Sequence, residues 1–376
     1  MRFVDRLNFP VRLLSTVSLA LVCGILSACG SASVISFHDP MHPQNGEAVT
    51  FRADAAGTVD RVELAFERFT LSTGPGGTKV QTLASAMTTV KTCDPPGNVS
   101  TLTCQHTMPA AFAANSLINF EARAWDDQNR ISTEKYTFAA GTYPWPNEAI
   151  PIRVKGGTLD KLDVVFVPDT DITLASFRSQ LDDVVEDLYF KYGIIKTWRG
   201  NYNFYYSGTQ GHYAELCNFT NPSNMAQLTA VADTVAILHQ ADLRDCRSGN
   251  VMSSEINYDK TMVHESGHAL FNLKDEYCCD SSYDQQPCEP NLYSSLANCQ
   301  GDAGGVGYPS SNCTQLAKAG ATVNFWRIDP TASPGCMMGP SQHTASSDFA
   351  KACVRRMTWR YGRCGSGECM PSPECN

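Results

Sequence analysis

From Lys161 to Pro168 the chain reads KLDVVFVP, a near-continuous apolar run. A strand of that composition has to be covered on both faces, as in a sheet packed between two layers. Helical spacing follows it, with Phe177, Leu181, Val184 and Leu188 recurring along one stripe. NYNFYYS and ADTVAILHQ then read as two further strands, and the stretch from Asn257 to Leu273 reads as a helix that starts at Asn257 or Asp259. Residues 152–376 are therefore expected to form an α/β (α+β) domain.

The preceding segment has the other periodicity. Apolar residues alternate at Val49, Phe51 and Ala53, at Val62, Leu64 and Phe66, at Ile118, Phe120, Ala122 and Ala124, and at Tyr136 and Phe138. Turn-rich stretches separate them. Roughly seven short strands predict an immunoglobulin-like β-sandwich over residues 29–142. Cys93 and Cys104 flank one such turn and are expected to pair as a local hairpin disulfide. No chemical motif lies in this domain, which reads as a spacer. Residues 143–151 carry Pro144, Pro146 and Pro151 at or near their ends and read as a stiff linker.

The first 28 residues have the layout of a secretory signal peptide: Arg2, Arg6 and Arg12, an apolar run from Val17 to Leu26, then Leu26-Ser27-Ala28-Cys29. The ending resembles a bacterial lipobox, which implies cleavage before Cys29 and acylation of its thiol. Gly30 after the cysteine points towards the outer membrane, facing either the periplasm or the cell surface. Cys23 would be removed and Cys29 acylated, which leaves 14 of the 16 cysteines. An exported chain with an even number of thiols and no CxxC pair is expected to be disulfide-bonded. The net charge of −9 gives no support to a nucleic-acid partner.

Chemistry concentrates in HESGHALFNLKDEY, from His264 to Tyr277. On a helix His264 and His268 stand one turn apart on the same face, so both imidazoles can reach one Zn2+ ion. Glu265 lies about 100° round the helix, where it can act as general base on a zinc-bound water that attacks a peptide carbonyl. A catalytic zinc needs a third protein ligand. Asp275 is the first choice and Glu276 the second, because an acidic pair just past a helix C-terminus is disfavoured by the macrodipole unless a cation is near. Asn272 can take the left-handed conformation that turns the chain back. A helix with two unmetallated surface histidines is the plain alternative.

These residues resemble the HExGHxxxxLxDEY signature of the M64 metallopeptidases, a metzincin-type family named for an immunoglobulin A peptidase of gut bacteria. His264, Glu265, Gly267, His268, Leu273, Asp275, Glu276 and Tyr277 carry the match. KLDVVFVPD is similar to an early strand of that family, without the Gly-Tyr that follows it there. PGCMMGP, residues 334–340, looks like a Met-turn. The resemblance covers residues from about 160 to 376. It implies a metzincin-like fold, a zinc peptidase acting on protein or peptide substrates, and Met337 or Met338 as an apolar floor beneath the metal. Tyr277 is a candidate transition-state stabiliser, and His343 a candidate substrate-binding group. Phe271 and Lys274 stand where the better-known metzincin motif has its glycine and its third ligand. Cys336 and Cys353 are expected to pair. Two other readings compete: a gluzincin-type site with Glu289 as third ligand, and a surface adhesion or binding lipoprotein with a structural metal.

Overall fold

A computed structural model describes residues 31–109, 112, 114–158, 160–215, 217–276, 288–316, 325–328, 336–339 and 348–364. Residues 1–28, Cys29, Tyr277 and His343 lie outside them. No helix among the described residues is long and apolar enough to cross a membrane.

Seven strands make the N-terminal part: β1 (Ser33–Asp39), β2 (Val49–Val59), β3 (Arg61–Thr73), β4 (Lys79–Cys93), β5 (Val99–Met108), β6 (Ser116–Trp125) and β7 (Ile131–Ala140). They form two antiparallel sheets, ordered β1-β2-β5 and β4-β3-β6-β7. The alternating residues Val49, Phe51, Ala53, Val62, Leu64, Ile118, Phe120 and Phe138 all point into one core between the sheets. That is the consequence of a period-2 pattern: one face apolar, the other wet. Cys93 and Cys104 are bonded, as expected. The bond is not a hairpin staple, however. Cys93 ends β4 in one sheet and Cys104 lies in β5 of the other, so the disulfide clamps the sandwich across its open edge.

The second part is built on a six-stranded mixed sheet. Its strands are β8 (Ile150–Arg153), β9 (Leu162–Pro168), β10 (Tyr202–Tyr206), β11 (Thr234–His239), β12 (Arg247–Ser248) and β13 (Val251–Glu255), in the order β12-β13-β11-β9-β10-β8. The four inner strands run parallel. All seven residues of β9 are buried. Leu162, Val164 and Phe166 join the core on one side, and Val165 and Val167 the core on the other. Double coverage is thus realised residue by residue. The helical stripe after β9 is present but irregular: an α-turn at Leu174–Arg178 leads to a π-helical segment, Asp183–Leu188. Phe177, Leu181 and Val184 are buried and Leu188 packs beside them.

Two longer helices complete the first core. They are α1 (Asp259–Phe271) and, near the end of the chain, α3 (Lys351–Cys364); α2 (Leu296–Ala303) lies between them in sequence. The cysteine-rich stretch after α1 is more regular than its composition suggests. It holds α2 and a hairpin of β14 (Cys313–Leu316) with β15 (Phe325–Ile328), tied by the Cys299–Cys313 bond. Cys217 and Cys246 form a third disulfide.

The two halves are not joined by a linker alone. Arg153 on β8 is fully buried and donates to the Ser36 carbonyl at 2.8 Å and to Glu134 of β7 at 2.8 Å. Thr137 and Val154 exchange main-chain hydrogen bonds, which continues the pairing from one half to the other. Met41 enters the core of the second part, and the His42 imidazole meets the Tyr206 hydroxyl. The proline-rich segment is pinned as well: Trp145 bonds Thr73, and Ile150 already belongs to β8. A sandwich fixed at so many points is a buttress of the second part rather than a detached spacer.

His38 and His42 sit at this joint. Burial drives the His38 pKa down to about 3, with Arg153 adding to the effect against the Met41 carbonyl. Burial and Arg178 bring His42 down to about 4. Both are neutral in the fold, so their contribution to stability is present above the ordinary value near 6.5 and is lost as the pH falls towards 4. The cost of His38→Gln should therefore shrink by about 2 kcal/mol between pH 7 and pH 5. Denaturant unfolding of both proteins at the two pH values measures this; an equal cost at both would show that folding leaves the His38 pKa at its ordinary value.

Candidate metal centre

Strand β13 runs straight into α1, which carries His264, Glu265 and His268. The helix begins differently from expectation. Tyr258 is the N-cap, with no side-chain capping bond, and neither Asn257 nor Asp259 fills that place. Asp259 is instead engaged by Lys191 at 2.5 Å and by the Tyr192 hydroxyl at 3.0 Å. The C-terminus behaves as the sequence implies: Asn272 adopts φ 51°, ψ 35°, the left-handed conformation that reverses the chain. That reversal carries Asp275 back to the histidines.

Three ligand-type atoms meet there. His264 Nε2 and His268 Nε2 are 3.1 Å apart, and Asp275 Oδ1 lies 3.2 Å from the first and 3.1 Å from the second. Each histidine uses its other nitrogen on the main chain: His264 Nδ1 meets the Met337 carbonyl at 2.9 Å, and His268 Nδ1 the Leu273 carbonyl at 2.6 Å. A carbonyl can only accept, so both Nδ1 atoms carry protons and donate. In the neutral imidazole that leaves a bare lone pair on each Nε2. Two ring nitrogens and a carboxylate oxygen then face one another at close range, a cluster held together by a proton or a cation shared among them. Ligands about 2.1 Å from a tetrahedral zinc stand roughly 3.4 Å from each other. The triangle seen here is close to that size, so these residues fit a zinc ion.

Glu265 lies beside the triangle, 6% exposed, and its Oε2 has no hydrogen-bond partner among the described residues. Burial pushes its pKa up to about 7, with Asp275 adding to the effect and His264 opposing it. Arg247 on the edge strand β12 also acts on it. Burial would raise Asp275 too, but the two histidines overcome this and hold it well below the usual carboxylate range.

The acidic pair divides. Asp275 faces the histidines, whereas Glu276 turns away from them, 1% exposed, towards Cys336 and Cys353. Glu276 is thereby removed as the alternative third ligand. Glu289 is removed as well, since it pairs with Arg355 at the surface. The turn at residues 336–339 closes with the Gly339 N–H on the Cys336 carbonyl at 2.9 Å. Its two methionines divide their tasks: Met337 supplies the carbonyl that orients His264, and the Met338 side chain packs against α1. A Cβ on Gly267 would come within 2.9 Å of the Met338 sulfur, so the glycine is needed for this approach. Cys336 and Cys353 are neighbours as expected but unbonded, with sulfurs 3.8 Å apart.

Sequence reasoning missed Asn291. It is fully buried and reads the third-ligand segment like a short strand: Oδ1 accepts from Lys274 N at 3.1 Å, and Nδ2 donates to the Lys274 carbonyl at 2.8 Å and to Glu276 Oε1 at 3.0 Å. The Glu276 N–H adds a 2.6 Å bond to the Met338 carbonyl. Nothing local in "CEPNLY" signals this role, because every partner is distant along the sequence.

No family model matches the sequence, and no curated protein matches it. Among solved structures, the sporulation control protein Spo0M of Bacillus subtilis is similar at 11% identity and TM-score 0.21, over 31% of this chain and 51% of that one. A family 123 glycoside hydrolase from Clostridium perfringens is similar at 14% identity and TM-score 0.19, over 46% of this chain and 36% of that one. A cycloisomaltooligosaccharide glucanotransferase from Paenibacillus sp. is similar at 11% identity and TM-score 0.22, over 79% of this chain and 34% of that one. The chain thus spans about half the length of the first and about a third of the others.

Replacing Asn291 by Ala leaves two main-chain groups of Lys274 and one carboxylate oxygen of Glu276 without this partner. Each buried group left unpaired costs ~1–3 kcal/mol, so Asn291→Ala should destabilise the protein by about 3 kcal/mol or more. Denaturant unfolding measures it, and a loss below about 1 kcal/mol would mean that the segment is held by other contacts.

Proposed function

We propose that the chain is an exported zinc metalloendopeptidase. The observation that carries the reading is the triangle of His264 Nε2, His268 Nε2 and Asp275 Oδ1, with the Glu265 carboxylate beside it, whose Oε2 has no hydrogen-bond partner among the described residues. His264, His268 and Asp275 would hold the ion. Zinc, when bound in such a site, polarises a carbonyl and lowers the pKa of a coordinated water towards ~7. Glu265 acts as general base and then, carrying the proton, as general acid towards the leaving amine. Its buried carboxyl, with a pKa near 7, is suited to both directions. The main-chain bonds of the two histidines fix the ligand orientation, and the turn at Met337 and Met338 supports the helix from one side.

The HExGHxxxxLxDEY pattern, the left-handed Asn272 and the 336–339 turn together favour an M64-like, metzincin-type enzyme. The strand orders β1-β2-β5 and β4-β3-β6-β7 agree with an immunoglobulin-like sandwich in front of it. The lipobox-like Leu26 to Cys29 suggests an outer-membrane lipoprotein acylated at Cys29. A purely structural metal in an adhesion protein has no use for Glu265, which makes that reading the weaker one.

Wild-type protein and Glu265→Gln should both retain zinc, and only the wild type should cleave a mixed peptide library. General acid–base catalysis contributes ~10²–10⁴-fold, so the variant should lose at least ~100-fold in kcat. Zinc content is read by elemental analysis and cleavage by mass spectrometry. Zinc in both with cleavage in neither would favour the adhesion reading; zinc in neither would remove the metal site.

A further inference from the structure

A second set of ligand-type side chains lies one residue along from Asp275. Glu276, Cys336 and Cys353 are 1%, 4% and 0% exposed, and their ligand atoms lie within 4.8 Å of one another. They come from three segments: the loop after α1, the 336–339 turn, and helix α3. The Cys336 and Cys353 sulfurs are 3.8 Å apart, and Cys353 Sγ is 3.3 Å from Glu276 Oε1.

The distances bear on what this cluster does. A disulfide would bring the sulfurs to about 2.05 Å. Two thiolates ~2.3 Å from one tetrahedral zinc stand about 3.8 Å apart, and a carboxylate oxygen ~2.0 Å from the same ion would stand about 3.5 Å from each sulfur. Both observed separations lie close to those edges. Glu276 supplies a second, independent observation. Its Oε2 is buried and has no hydrogen-bond partner among the described residues, while its Oε1 is bonded by Asn291. Arg327 donates at 2.5 Å to the main-chain carbonyl of Glu276.

We infer that Glu276, Cys336 and Cys353 form a second metal site, which takes one thiolate-preferring divalent ion of the zinc type in a structural role. Binding releases the two thiol protons to solvent, and both sulfurs bond the ion as thiolates. The ion ties the segment that carries Asp275 to the turn that carries Met337 and Met338, and both to α3. None of the three ligands belongs to the histidine triangle, so the inference stands apart from the peptidase reading.

The test uses protein expressed from the full sequence, wild type beside His264→Ala/His268→Ala, with Cys353→Ser and Glu276→Gln added to each. Zinc is counted by elemental analysis after dialysis, and cobalt(II) is titrated into the zinc-free protein. The wild type should hold two ions and the histidine variant one. Cobalt should give a thiolate-to-metal charge-transfer band in the near ultraviolet in both, lost with Cys353→Ser and weakened with Glu276→Gln. That band arises only from sulfur ligands, so it is independent of the histidine site, and its loss with Cys353→Ser in folded protein assigns it to this cluster. Absence of the band in wild type, with the Cys336 and Cys353 peptides recovered either free or joined by a disulfide after alkylation under denaturing conditions, would overturn the inference.

Discussion

Two main-chain carbonyls decide the chemistry of α1. The oxygens of Met337 and Leu273 each take the Nδ1 proton of a histidine, and thereby fix which nitrogen of each ring is bare. Without them the imidazoles could rotate or exchange tautomers, and the Nε2 atoms would not be held 3.1 Å apart. That arrangement brings both Nε2 atoms to one point beside the Asp275 carboxylate. The neighbouring structure serves those two bonds: Asn272 returns Leu273 and Asp275 to the helix, and Gly267 leaves room for the Met338 sulfur against it.

The same turn links the site to the rest of the molecule. Helix α1 packs in one core with β9, β11 and α3, and Met41 from the sandwich joins that core. Arg153 closes the joint from the other side, its charge answered by Glu134 and its guanidinium 4.3 Å from the centre of the Tyr136 ring. Burying an arginine is costly unless it is paired and fully hydrogen-bonded. Its presence at the joint therefore fixes one relative placement of the two halves, because any other would strand the charge.

Much of this was legible in the sequence because it depends on local rules. Alternation placed the inner residues of the sandwich, the apolar run placed β9, and the i, i+4 spacing placed the two histidines on one face. The reversal of the chain towards the histidines was legible in part, through the left-handed preference of Asn272. What remained hidden depends on partners far away in the chain. Asn291 bonds Lys274 and Glu276 from an unremarkable loop, Arg153 looks like any strand arginine, and the roles of Met337 and Met338 separate only once the turn is seated. The helix start was misread because Asp259, a good N-cap by type, is drawn off by Lys191 and Tyr192. The Cys93–Cys104 pair was found by proximity, but whether it staples a hairpin or two sheets depends on which strands become neighbours.

The carbonyl that orients His264 belongs to Met337, close to the end of the chain, while the histidine itself sits far upstream. During synthesis the HExxH helix emerges long before its acceptor exists. Until the last helix has been made and the turn has docked, His264 lacks the partner that fixes its ring, and the Asp275 segment lacks the Met338 carbonyl that anchors its neighbour. A chain cut short between residue 277 and that turn carries every recognisable residue of the motif and still lacks the Met337 carbonyl. Completion of the triangle's hydrogen bonding thus waits for the segment that supplies the Met337 carbonyl.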